Sequence, residues 1–159
     1  MSEHKTSFNK KILVSSCLYG YCTRYDGKSN ILKDKTFLDW KNRGLLIPVC
    51  PEVLGGLPIP RKPCEILNNR VINCDGEDVT DYFIKGADEA LKIAKENNVI
   101  FAILKDGSPS CGSKHIYDGT FSHTKIIGNA VLAKKLLENG ILVFCENDIA
   151  TAKVFLNEG

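Results

Sequence analysis

The sequence DYFIKGADEALKIAKENN (residues 81–98), followed directly by VIFAIL (residues 99–104), decides the fold class. Apolar residues recur at helical spacing in the first stretch, which predicts an amphipathic helix. The second stretch is a short, continuous apolar run and predicts a buried strand. A helix that leads into a buried strand is the repeating unit of an α/β fold with a parallel sheet.

The same alternation extends in both directions along the chain. Apolar runs predict three more strands, at residues 12–15, 45–49 and 141–144. Helical patterns occupy residues 34–43, 129–139 and 149–156. Right-handed crossovers between parallel strands place such helices on both faces of the sheet. We predict an α/β three-layer sandwich, Rossmann-like, with a mainly parallel sheet of about four main strands plus a small hairpin at residues 65–73. The strand order stays open.

Length and composition restrict the classes of protein. The chain has 159 residues, and 43% hydrophobic with 25% charged content is typical of a globular protein. We predict a flexible N-terminal leader at residues 1–10 and one domain over residues 11–159. The net charge of +2 gives no strong nucleic-acid signal, and no apolar run approaches the roughly 20 residues of a membrane span. The polar N-terminus has no apolar signal-peptide region, which predicts a cytoplasmic protein. The sequence does not determine the oligomeric state.

Three cysteines each follow a predicted strand: Cys17, Cys50 and Cys111. The carboxyl ends of parallel strands meet at one edge of a sheet, so these thiols are expected to converge. Convergent thiolates are ligands for soft metals and iron–sulfur clusters. A reducing compartment and the odd total of seven cysteines argue against a disulfide framework.

The other four cysteines are not excluded by position alone. Cys145 also follows a predicted strand, Cys74 lies near the hairpin, and Cys22 and Cys64 are close in sequence to two of the three strand-end cysteines. No CxxC pair occurs, which argues against a zinc finger or ribbon.

Polar side chains accompany the strand-end cysteines and supply further chemistry. They are Arg24, Asp26, Glu52, Arg61, Lys105 and Ser108. A carboxylate beside a metal can act as a general acid or base, and an arginine can bind an anion through two parallel hydrogen bonds. Ordinary salt bridges between loops explain the same residues equally well.

Three blocks of the sequence resemble the signature of the thiouracil desulfurase family, a bacterial family. They are KILVSSCLYGYCTRYDG (residues 11–27), PVCPEVLGGLPIPRKPCEI (residues 48–66) and LKDGSPSCG (residues 104–112). The resemblance runs over nearly the whole chain. It is to the stand-alone form, without the extra C-terminal domain of longer relatives that act on thiolated RNA.

The resemblance implies a [4Fe-4S] cluster held by only three cysteines, Cys17, Cys50 and Cys111. The fourth iron is then open to the sulfur of the substrate. The implied substrate is thiouracil or a thiolated uridine nucleotide, and the implied reaction replaces the thiocarbonyl sulfur by oxygen and releases sulfide without net redox change.

The family pattern also implies roles for five polar residues. Glu52 and Ser108 are the leading acid–base candidates, and Asp26 is the third. Arg24 and Arg61 are implied to bind ring oxygens or a phosphate of the substrate.

Two other functions remain open from the sequence. A metal-free enzyme could use Cys111 as a nucleophile with His115 or His123 as its base. A structural module could hold zinc, with Cys22 or Cys64 as the fourth ligand.

Overall fold

The computed structural model describes residues 10–157, and its sheets contain eight strands in that range. The strands are β1 (Lys11–Ser15), β2 (Leu46–Val49), β3 (Cys64–Leu67), β4 (Arg70–Asn73), β5 (Val99–Leu104), β6 (His115–Tyr117), β7 (Lys125–Ile127) and β8 (Leu142–Cys145). The helices in the same range are α1 (Ser16–Tyr19), α2 (Lys35–Asn42), α3 (Pro51–Leu54), α4 (Thr80–Glu96), α5 (Val131–Glu138) and α6 (Ile149–Phe155). None of these helices is long and apolar enough to cross a membrane.

The main sheet has four parallel strands in the order β2–β1–β5–β8. The two central strands, β1 and β5, are almost wholly buried because helices cover both faces of the sheet. This order answers the question that the sequence left open. It places the strands that precede Cys17, Cys50 and Cys111 side by side.

Two apolar layers hold the helices against the sheet. Side chains of α2 and α6, including Phe37, Trp40 and Ile149, pack with Ile12 and Phe101 on one face. Alanine and leucine side chains of α4 and α5 pack on the opposite face. Because successive residues of a strand point to opposite faces, neighbouring residues of β1 belong to different layers. The predicted α/β three-layer sandwich with a four-stranded parallel sheet is confirmed.

Some details differ from the sequence expectation. The hairpin β3–β4 is present, but a second antiparallel hairpin, β6–β7, was not predicted. Its strands have three residues each, which is too short for an alternating pattern to stand out. Segments expected to be irregular contain the one-turn helices α1 and α3, and Pro51 favours the start of α3. Most of the predicted leader, residues 1–9, lies outside the described residues, so the domain boundaries stay a prediction.

A glycine contact fixes α3 against α4. A Cβ atom on Gly86 would lie 1.8 Å from the Pro51 carbonyl oxygen, and one on Gly55 would lie 1.9 Å from the Tyr82 carbonyl oxygen. Only glycine at both positions permits this approach of the two backbones. The contact therefore sets the position of the segment that carries Cys50 and Glu52.

We expect Gly86→Ala to lower the free energy of unfolding by about 1–3 kcal/mol, as overpacking in a tight contact does. Urea denaturation of the metal-free protein measures this difference. Lys92→Ala, on the exposed face of α4, is the control, with an expected change within about 0.5 kcal/mol. Equal stabilities of the two variants would contradict the role assigned to the glycine contact.

Candidate metal centre and active site

Three cysteines line one cavity at the carboxyl edge of the sheet. Cys17 lies in α1 directly after β1, Cys50 is the N-cap residue of α3 after β2, and Cys111 lies in the loop after β5. The cavity has a volume of about 530 Å³. The structure therefore brings together three thiols that are far apart in the sequence, at positions 17, 50 and 111.

Each of the three sulfur atoms accepts a hydrogen bond from a polar side chain. The donors are Asn30 Nδ2 to Cys17 Sγ at 3.4 Å, Arg61 Nη2 to Cys50 Sγ at 3.9 Å, and Ser110 Oγ to Cys111 Sγ at 3.6 Å. Donors that face sulfur stabilise the thiolate over the thiol. Such hydrogen bonds also tune the reduction potential of iron–sulfur clusters. The donor set is soft, convergent and supported by a second layer of polar groups, so it fits a cluster held by thiolates.

Burial opposes the charge of these thiols when no metal is bound. It is the largest cause that raises the pKa of Cys17, although the hydrogen bond from Asn30 and the charge of Lys105 lower it. The pKa of Cys111 is raised to about 12, mainly by burial and to a smaller extent by the nearby Cys17 and Cys50. A metal must displace protons from such thiols, so metal binding and proton release are coupled here.

The remaining cysteines have different surroundings. Cys22 and Cys74 are exposed, while Cys145 is buried and its thiol donates to the Asp148 carboxylate at 3.3 Å. Cys64 does line the cavity, but its thiol donates to the Lys62 carbonyl oxygen at 3.4 Å. Within residues 10–157, no group of three or more His, Cys, Asp and Glu side chains is arranged to hold a single metal ion.

Glu52 is buried beside the cysteines and makes two strong contacts. Its Oε1 atom accepts a hydrogen bond from Arg61 Nε at 2.9 Å, and its Oε2 atom accepts one from Ser110 Oγ at 2.8 Å. Only 11% of the Glu52 side chain and 5% of the Arg61 side chain are exposed. A buried carboxylate needs such partners, and Arg61 and Ser110 supply them here.

Ser108 is connected to Glu52 through Ser110. The two serine hydroxyls lie 3.0 Å apart, and Ser108 Oγ accepts hydrogen bonds from the backbone N–H groups of Ser110 and Cys111 at 3.2 and 3.1 Å. The single hydroxyl proton of Ser110 points to Glu52 at 2.8 Å and has Cys111 Sγ, at 3.6 Å, as a second and weaker acceptor. The Ser108 hydroxyl therefore donates to Ser110. Ser110 was not among the predicted catalytic residues, although its place beside Cys111 in SPSCG was a usable signal.

Comparisons with known proteins identify the family. The sequence profile of the 2-thiouracil desulfurase family matches residues 12–148. The chain belongs to the 2-thiouracil desulfurase family. It is 42% identical to the uncharacterized protein YbbK of Bacillus subtilis (strain 168), with 87% of this chain and 97% of that protein covered. A solved structure of the [4Fe-4S]-dependent thiouracil desulfidase TudS is similar with a TM-score of 0.91 and 39% identity, over 93% of this chain and 98% of that chain.

Of the predicted residues Arg24, Arg61 and Asp26, the structure places the two arginines in the cavity lining and Asp26 outside it. Arg24 lines the cavity and donates to Asp26 at 2.8 Å and to Asn30 at 3.1 Å. Asp26 is not part of the cavity lining. Arg61 also lines the cavity, but its guanidinium donates to Glu52 and to the carbonyl oxygens of Thr23 and Pro58.

The two histidines of the nucleophile hypothesis lie in different places. His123 lines the cavity, whereas the half-exposed His115 ring hydrogen-bonds to Asp106 at 2.8 Å. The pKa of Cys111 is raised, which is the opposite of what an activated cysteine nucleophile requires. The surroundings of Cys111 thus argue against a metal-free nucleophile.

Cysteine reactivity in the metal-free protein is expected to follow these surroundings. At pH 8, iodoacetamide should modify exposed Cys22 well before the partly buried Cys64 and the buried Cys111, because the pKa values of these two thiols are raised to about 12 and they hold little thiolate. As the pH rises from 8 to 11, the rates at Cys64 and Cys111 should still increase. Site-resolved mass spectrometry measures each rate, and equal rates for all three cysteines would contradict the assignment.

Proposed function

We propose that this protein is a [4Fe-4S]-dependent desulfidase that replaces the thiocarbonyl sulfur of thiouracil or of a thiolated uridine nucleotide by oxygen. The observation that carries the proposal is the convergence of three thiols, each facing a hydrogen-bond donor, in one cavity at the carboxyl edge of three adjacent strands. The net reaction adds water to the C=S group and releases hydrogen sulfide. It leaves the oxidation states unchanged.

In this proposal Cys17, Cys50 and Cys111 hold the cluster. When bound, the cluster supplies an iron without a protein thiolate, which is a Lewis acid with affinity for soft sulfur. Asn30, Arg61 and Ser110 support the three thiolates through the hydrogen bonds described above. Cys64 stays outside the ligand set, because its thiol is directed to the Lys62 carbonyl oxygen.

Glu52 serves as the proton acceptor of the site. The carboxylate is fixed by Arg61 on one oxygen, and its other oxygen receives the Ser110 hydroxyl. A proton lost by the attacking water passes to Ser108 Oγ as the Ser108 proton moves to Ser110 and the Ser110 proton to Glu52. The two backbone N–H groups at Ser108 Oγ stabilise negative charge there during the transfer.

The remaining predicted residues act around this chain of hydrogen bonds. Arg61 orients Glu52 through their ion pair, and both residues line the cavity. Arg24 contributes a guanidinium to the cavity, where it can bind a carbonyl oxygen or a phosphate of the substrate. Asp26 orients Arg24.

We also infer a cytoplasmic, reducing location for the protein. All seven cysteines are free thiols, which is typical of a reducing compartment.

Substitution of the ligands provides the first test of the proposal. We expect Cys17→Ser, Cys50→Ser and Cys111→Ser each to lose most of the iron and acid-labile sulfide, together with sulfide release from 2-thiouracil. Cys64→Ser is the matched control in the same cavity and should keep both. Iron analysis of anaerobically purified protein decides the matter. A ligand variant with full iron content, or zinc in place of iron, would refute the assignment.

The proton acceptor is tested by Glu52→Gln. The amide oxygen of glutamine can still accept from Arg61, and its NH₂ group can donate to Ser110 Oγ, but the amide does not take up a proton. We therefore expect kcat to fall by about 10²–10⁴-fold, the usual contribution of acid–base catalysis. Iron content should stay at the wild-type level. Glu89→Gln, on the exposed face of α4, is the control. A Glu52→Gln enzyme with wild-type kcat would remove Glu52 from the mechanism.

A further inference from the structure

The hairpin of β6, β7 and the segment that joins them forms one wall of the cavity. Four of its odd-numbered residues line the cavity, namely Tyr117, Phe121, His123 and Lys125. The intervening polar side chains bond to one another in a row, from Asp118 to Thr120, Ser122 and Thr124. The segment therefore has a polar outer side and an inner side that faces the substrate space.

Phe121 occupies an unusual backbone conformation in this wall. Its φ angle is 56°, in the left-handed region that bulky side chains rarely adopt. His123, two residues on, has a φ angle of 60°. Unfavourable backbone conformations that surrounding contacts maintain are concentrated at functional sites. Contacts with the rest of the protein must therefore maintain the backbone conformation of Phe121.

A buried carboxylate on β3 holds this segment. Glu65 is 8% exposed, and its Oε1 atom accepts hydrogen bonds from the backbone N–H groups of Gly119 at 3.0 Å and Phe121 at 3.1 Å. Gly119 lies so close to β3 that a Cβ atom there would be 2.7 Å from Leu67 Cβ. The Glu65 carboxylate thus ties the wall segment to the β3–β4 hairpin and fixes the backbone of Phe121.

We infer that Phe121 stacks on the planar ring of the thiopyrimidine and that Glu65 is the residue that positions it. The inference rests on the proposed function and extends it to recognition of the ring. Aromatic side chains bind flat heteroaromatic rings through stacking with little dependence on ring substituents. Tyr117 in the same wall already lies beside a cation, Lys125, whose Nζ atom is 5.5 Å from the ring centroid.

Ring binding is measured without turnover by calorimetric titration of the anaerobically purified holoenzyme with uracil, which has no thiocarbonyl sulfur and is the product of the proposed reaction. We expect Phe121→Leu to weaken the affinity for uracil by about tenfold through loss of stacking, while Phe121→Tyr binds as wild type. Glu65→Ala should weaken binding to a similar extent. Glu65→Gln should bind as wild type, since its amide oxygen can accept the same two N–H groups.

A double-mutant cycle separates positioning from general damage to the fold. If Glu65 acts through Phe121, the double variant of Glu65→Ala and Phe121→Leu binds no more weakly than the weaker single variant. KM should rise with the dissociation constants while kcat changes little. Glu138→Gln, on an exposed position of α5, is the control for loss of a carboxylate.

The outcomes distinguish this inference from the proposed function. Wild-type affinity in Phe121→Leu, fully additive effects in the cycle, or a wild-type enzyme that does not bind uracil would overturn the stacking role. A wild-type enzyme that binds uracil but releases no sulfide from 2-thiouracil would instead overturn the proposed function and leave the binding series to support ring recognition.

Discussion

The parallel register of three adjacent strands is the constraint on which the site depends. Ser15 of β1 pairs with Val49 of β2, and Val14 of β1 pairs with Ile103 of β5, so the three strands end at nearly the same level. A cysteine lies in the segment that follows each of these three strands. Helix packing maintains this arrangement, because the close contact between α3 and α4 fixes the segment after β2. The convergence of the three cysteines is thus a consequence of sheet topology, and no single loop produces it alone.

Burial at this edge has a cost, and the polar network around the cysteines offsets it. Removing thiolates and a carboxylate from water is unfavourable unless partners compensate their charge. The Arg61 guanidinium compensates two of these groups, because it donates hydrogen bonds to Glu52 at 2.9 Å and to Cys50 Sγ at 3.9 Å. Ser110 also bridges two groups, since its hydroxyl lies 2.8 Å from Glu52 and 3.6 Å from Cys111 Sγ. In the proposed function, support of the cysteines and acid–base chemistry therefore share the same side chains, whose hydrogen bonds fix the geometry of the site before substrate binds.

Sequence patterns predicted the parts of this structure that depend on long, regular signals. The apolar runs before Cys17, Cys50 and Cys111 gave the strands and their common edge, and the motif blocks gave the family. The structure distinguishes Cys145 from these three cysteines, because it is the last residue of the edge strand β8 and its thiol bonds to Asp148 outside the cavity lining. Contacts between residues distant in sequence had no such signal: Glu65 reaches Phe121 across 56 positions. The support of Cys17 by Asn30 was equally hidden, since it depends on the path of the loop after α1.

We propose that three protein thiolates hold a cluster that keeps one iron available to the substrate sulfur. Mössbauer spectroscopy of ⁵⁷Fe-loaded, anaerobically purified protein, with and without 2-thiouracil, tests it most directly. We predict one iron subsite that differs from the other three and changes on addition of 2-thiouracil but not of uracil. Four equivalent iron subsites that do not respond to the thione would contradict the claim.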